Sequence, residues 1–281
     1  MRMTHGIQAI DARYLDHQGD QLYVVLHGAE KPVAQVLLAG PFPSERTFSY
    51  LPWVRWARYL ARRGFQALRF DYRACGESTG DFRKQSLRGW MEDIKACIAF
   101  LQAQTPGLPL VLHGLGFGGL LAAKLFSEDT GDALLLWSPP NSGREAFRGA
   151  LMRRLAIDFG LFKAGQRKSW KDYMAELEQT GAVDVEGYAC SRDLWQEGNQ
   201  FPLITPPASG QPGTQSELRP WKLVNLDKGA EPLVGGIGQW RTANPEGVYE
   251  DLRLNPDLSP LYEENFQWMK KAVQTIGRPV K

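Results

Sequence analysis

Histidine is scarce in this chain of 281 residues, and all four copies, His5, His17, His27 and His113, precede residue 114. Any chemistry that needs an imidazole from the second half of the sequence is therefore excluded. Cysteine is rarer still. Cys75, Cys97 and Cys190 are far apart, odd in number and without Cys-x-x-Cys spacing, which excludes a disulfide framework and a zinc site and fits a reducing cytoplasm. Neither sign of charge dominates, since 33 basic against 31 acidic residues leave a net +2. With no lysine- or arginine-rich block interleaved with aromatics, nucleic acid is excluded as a partner. The start, Met-Arg-Met-Thr-His-Gly, leads into mixed polar residues rather than the apolar core of a signal peptide. One uncharged stretch, residues 105–123, approaches bilayer length, but Pro109 and five glycines make it a strand, a turn and a helix rather than a membrane span. There is no internal repeat, and no motif calls for a metal or an organic cofactor.

What is present is alternation. Residues 6–15, 21–26 and 33–38 read as opening strands, the first two as a hairpin broken at His17-Gln18-Gly19-Asp20. Gly40-Pro41-Phe42-Pro43 stops the third, and helical spacing runs from Tyr50 through Leu60 to a stop at Gly64. Phe65 to Asp71 is a strand ending in a Cys/Gly/Ser loop, and a helix follows from Ser86. Leu108 to Ala123 reads as a strand, a sharp turn and a close-packed helix, and Ala133 to Trp137 as a further strand closed by Ser138-Pro139-Pro140. Strands alternating with helices imply an α/β fold whose mostly parallel sheet carries helices on both faces. After residue 140 the alternation breaks. Residues 141–219 read as a helical, cap-like insertion after the sixth strand, with helical runs near 144–158, 169–179 and 187–197 and a Pro/Gly/Ser/Gln-rich loop over 202–220. Residues 221–226 and 248–254 then read as the last strands and 261–276 as a closing amphipathic helix, all within one domain spanning 1–281.

Three stretches make the chain resemble the α/β-hydrolase superfamily. They are Leu38-Ala39-Gly40-Pro41-Phe42, the run Asp71-Tyr72-Arg73-Ala74-Cys75-Gly76-Glu77-Ser78, and Gly114-Leu115-Gly116-Phe117-Gly118. The last is similar to the nucleophile elbow Gly-x-Ser-x-Gly, in which a strained turn lifts a serine above the sheet. Here Gly116 holds the serine's place. More narrowly, residues 134–143, the arginine-rich run after them and Gly187 to Arg192 resemble the second type of hydrolase associated with the exosortase A system of exopolysaccharide-producing bacteria.

A hydrolase of this fold needs a serine, a later acid and a still later histidine, with backbone N–H donors for the oxyanion. Gly116 leaves the nucleophile position vacant, and no histidine follows the expected acid. Asp227 and Glu231 are the vestigial acid candidates, with a surface pairing to Lys228 as the plainer reading of Asp227. His113, placed at the end of its strand, reads as a hydrogen-bonded core histidine, and Asp71 as the anchor of its own loop. Ser44, Ser78, Ser138, Ser142 and Cys75 are the substitute nucleophiles to weigh. The ligand-binding candidates are Gly40, Phe42 and Phe117 around the former oxyanion hole, with Arg144 and Arg148 from the basic stretch 143–171 above it. That stretch reads equally as a solvated helix face. The reading is a pseudo-hydrolase that binds an acyl, saccharide or other anionic small molecule, or a partner. Its alternative is an active esterase or acyltransferase with a relocated nucleophile, linked to exosortase systems. A structural subunit is a third reading, resting on the aromatic content that includes nine tryptophans.

Overall fold

The chain first reverses at Gln18 and Gly19, which take φ of 53° and 86°, the type I′ geometry whose twist matches paired strands. They join β1 (Ile10–His17) to β2 (Asp20–His27) in antiparallel register. The structure, a computed structural model, describes residues 10–163, 166–206, 219–226, 237–239 and 258–276. Beyond the hairpin come β3 (Ala34–Ala39), α1 (Pro43–Ala61), β4 (Phe65–Phe70), α2 (Leu87–Gln104), β5 (Leu110–Leu115), α3 (Phe117–Ser127) and β6 (Ala133–Trp137). There follow α4 (Gly143–Leu161), α5 (Trp170–Thr180), a small hairpin of β7 (Ala182–Val185) and β8 (Tyr188–Ser191), and α6 (Arg192–Asn199). The chain then returns to the sheet as β9 (Trp221–Asn225) and β10 (Ile237–Gln239), with α7 at Ser259–Ile276.

Among the described residues, eight strands form one sheet in the order β1-β2-β4-β3-β5-β6-β9-β10. The pairs β1·β2 and β2·β4 are antiparallel and the rest parallel. The central strands are buried on both sides, and the two-residue period of a strand sorts their side chains between two cores. Leu110, Leu112, Leu134 and Leu136 join α2 and α3 on one face. Val111, Leu115, Leu135 and Trp137 join α1 and α7 on the other.

Three sequence expectations shift. The first helix begins at Pro43, not near Tyr50, because proline at its first position has a preset φ and lacks an N–H that would have no partner there. Polar residues in its first turns hide it from a reading of apolar spacing. Residues 187–191, expected as helix, pair as β8 with β7 through Glu186 and Gly187 at φ 55° and 91°. The helix starts only where the Ser191 hydroxyl accepts from the Leu194 N–H. The last described strand is Ile237–Gln239, parallel to β9, whereas the strand expected at 248–254 lies outside the described residues.

The tightest joint in the fold is between α3 and the strands beneath it. A Cβ on Gly118 would collide with the carbonyl oxygens of Ala39 and Gly40, and one on Gly114 with the backbone of Gly118 and Gly119. The substitution Gly118→Ala is expected to lower the unfolding free energy by at least about 1–3 kcal/mol, the usual range for overpacking. The urea midpoint reads this directly, and an unchanged midpoint would show that α3 can back away from the sheet.

Candidate functional site at the strand-to-helix turn

The turn between β5 and α3 keeps the backbone of a nucleophile elbow. Gly116 caps α3 at φ 55° and ψ −127°, where a residue with a Cβ bears a strain of about 1–3 kcal/mol. Its N–H donates to the Trp137 carbonyl at 2.8 Å, and its own carbonyl accepts from the Gly119 N–H at 2.9 Å. A cavity of about 240 Å³ opens over this turn, walled by Gly116, Phe117, Ser138, Glu45, Glu145 and Arg153 among others. Arg153 reaches Glu45 at 2.9 Å and Glu186 at 3.4 Å. The cavity thus holds two carboxylates against one guanidinium.

The expected ligand residues are divided among separate places. Gly40 lines a narrow cleft with Arg46, Asp71 and Cys75, and its carbonyl accepts from the Tyr72 hydroxyl at 3.3 Å. Phe42 is buried in the core, its ring 5.7 Å from Phe117 and 5.5 Å from Phe147 of α4. Phe117 alone of the five lines the elbow cavity. Arg144 and Arg148 do not stand over the turn. They line a different cavity on α4's far side, because the helical period turns Glu145, Gly149 and Arg153 toward the elbow and Arg144, Arg148 and Met152 away from it.

His113 sits fourth in β5 rather than at its end, so its ring lies on the face of α1 and α7. It is fully buried among Trp53, Trp56 and Trp137, with ring centroids at 4.9, 6.1 and 4.6 Å. Nδ1 meets the Leu135 carbonyl at 3.0 Å, and Nε2 has no hydrogen-bond partner among the described residues. Burial drives its pKa down to about 3, against the lesser pull of that carbonyl. It is a neutral core group.

The other nucleophile candidates are engaged in structure. The Ser78 hydroxyl donates to the Asp71 carbonyl and accepts from the Tyr23 N–H, while Ser142 caps α4. Ser44 accepts from Arg153 at 3.4 Å. Ser138 is the one that lines the elbow cavity; its φ is 41°, and its hydroxyl accepts from the Leu226 N–H at 2.7 Å. Cys75 is buried, and burial holds its thiol well above the usual range. Asp71 does anchor its loop, receiving both Nε and Nη2 of Arg46 at 2.8 Å and the Glu77 N–H at 3.0 Å. In the same loop, Arg73 gives its backbone N–H and its Nε to the fully buried Asp93 at 2.9 and 2.6 Å.

Asp227 and Glu231 lie outside the described residues; β9 ends at Asn225, which lines the elbow cavity. Arg153, Glu45 and Glu145 are cavity groups that sequence reading did not single out. Arg153 was one of many basic residues in its stretch, and Glu45 lay in a helix start that went unread.

The chain has the α/β-hydrolase fold. Residues 52–168 match the family described as serine aminopeptidase, S33, a stretch running from α1 past α4 and containing the elbow. The structure is similar to Est1E of Butyrivibrio proteoclasticus with ferulic acid bound, at TM-score 0.59 and 16% identity, covering 94% of this chain and 100% of that one. It is similar to a soluble variant of the Saccharomyces cerevisiae monoglyceride lipase with a substrate analogue, at TM-score 0.58 and 12% identity, covering 95% and 97%. A putative hydrolase from Agrobacterium vitis gives TM-score 0.56 at 17% identity, covering 95% and 99%. No curated protein matches the sequence. Among the described residues no helix is long and apolar enough to cross a membrane.

The environment of His113 has a consequence in acid. Between an unfolded pKa of 6.5 and a folded one of about 3, the unfolded chain takes up a proton that the folded chain refuses. Stability from this group is therefore complete above pH 6.5 and is lost as pH falls through that window. His27, lowered to about 4 chiefly by burial, works in the same direction. In urea titrations from pH 7 to 4.5, His113→Asn is expected to flatten the acid loss by up to about 1.4 kcal/mol per pH unit. An unchanged slope would mean that the ring reaches solvent.

Proposed function

We propose that this protein uses the hydrolase scaffold to bind, without triad catalysis, an acyl, saccharide or other anionic small molecule, or a partner. The observation that carries the reading is Gly116, a residue with no side chain, at the tip of an otherwise intact elbow. The absence of any histidine after His113 in the sequence supports it from the other end of the triad. Glycine relaxes a turn that strains any other residue, and the N-terminus of α3 still offers N–H groups to a carboxylate or phosphate. A cytoplasmic setting belongs to the same reading and draws on three free, buried cysteines. So does a role beside exosortase and exopolysaccharide systems, which rests on the sequence resemblance alone.

One observation favours a second reading, an esterase or acyltransferase with a relocated nucleophile. Ser138 faces the elbow cavity from a positive-φ position, the kind of strained backbone that clusters at active sites. Glu45 and Glu145 are the carboxylates in that cavity.

A fluorophosphonate probe separates the two. No stoichiometric labelling is expected, and residual ester hydrolysis of about 10³–10⁴-fold over water would still agree with binding alone. Labelling mapped to Ser138 would establish the second reading. The variant Gly116→Ser is expected to stay inactive for want of a base, and recovered turnover would overturn the first.

A further inference from the structure

The four arginines of α4 fall into two pairs. Arg153 is matched by Glu45 and Glu186, and Arg154 by Asp158 and Asp184. Arg144 and Arg148, one helical turn apart, have no acidic partner among the described residues, and like charges at that spacing repel. Both line a cavity of about 690 Å³ between α4, α5 and α6, within the range of small-molecule sites and sharing no lining residue with the elbow cavity. Apart from the amide of Asn199, its other walls are apolar and aromatic. Trp170 and Trp195 meet at 6.1 Å between ring centroids with 57° between their planes, and Met152 and Met174 add thioethers beside them. The Arg148 guanidinium already lies over the Trp170 ring, 6.0 Å from its centroid. Trp195 is fixed from behind by stacking on Phe147 at 5.9 Å.

From this arrangement we infer that the cavity is a binding site for a small aromatic carboxylate. A carboxylate suits two guanidinium forks lining one cavity with no acidic partner among the described residues. A planar ring suits two indole walls and the polarizable sulfurs that line the same cavity. The inference does not rest on the elbow being non-catalytic. It would hold equally if Ser138 were a nucleophile.

The test uses the intact protein and naphthalene-2-carboxylate, followed by quenching of tryptophan fluorescence and by calorimetry. Saturable binding at one site is expected. Affinity should fall at least about tenfold in the double variant Arg144→Ala/Arg148→Ala, or when the neutral naphthalene-2-carboxamide replaces the acid. Both arginines are exposed, so the variant should keep its thermal midpoint. Undiminished binding in the double variant would put the ligand elsewhere and overturn the inference while leaving the proposed function standing. Binding of octanoate as tight as that of the naphthoate would overturn the aromatic class, and no saturation by about 1 mM would overturn the site altogether.

Discussion

The absence of side chains at one joint is the constraint on which the rest of this structure depends. Gly114 and Gly118 bring α3 against the ends of β3 and β5 so closely that a single methyl on either would meet backbone, and one on Gly119 would meet the Pro139 side chain. That contact sets where α3 begins, and so where the residue at its cap is held above the sheet. It ties the elbow to the segment after β3, since the carbonyls of Ala39 and Gly40 form the floor on which Gly118 sits. In a hydrolase the same closeness aligns a nucleophile with its oxyanion donors. Here it persists with a glycine at the tip, so the geometry is maintained by packing whatever occupies that tip.

The loop after β4 shows the same separation of scaffold from chemistry. Asp93 is fully buried on α2, and burial raises its pKa while Arg73 opposes the shift. Removing one member of a buried pair strands the other's charge at a cost of roughly 3–5 kcal/mol. Together with the Arg46–Asp71 pair, this explains why a motif typical of hydrolases is well formed beside an elbow without a serine. Its polar groups hold the loop between α1, α2 and the β1–β2 hairpin, and none of them is aimed at the cavity over Gly116.

Much of the architecture was legible because its signals are local. The apolar runs of β5 and β6, the helix start at Ser86 and the glycines around residue 116 all act within a few residues of themselves. The start of α1 was not legible, because proline and polar residues read as loop when the partner surface is unknown. Nor was β8, whose pairing depends on a turn at Glu186, a residue seldom found at positive φ. At the site, the vacancy at Gly116 could be read directly, and the burial of His113 followed from its place in an apolar strand. The direction of Arg144 and Arg148 could not be foreseen. Net charge along a helix is visible in sequence, but the face that α5 and α6 cover is a tertiary property.

Phe147 gives the region its mechanical character. Its ring touches Phe42 and Phe117 on one side and stacks on Trp195 on the other, and it fills the space left by the missing side chain of Gly198. Lifting α4 off the sheet would expose that ring, at a cost of roughly 1.5–3 kcal/mol before any other contact is counted. Phe147 thus bolts α4 to the sheet and to α6. Any route into the cavity over Gly116 that required α4 to lift would bear that cost.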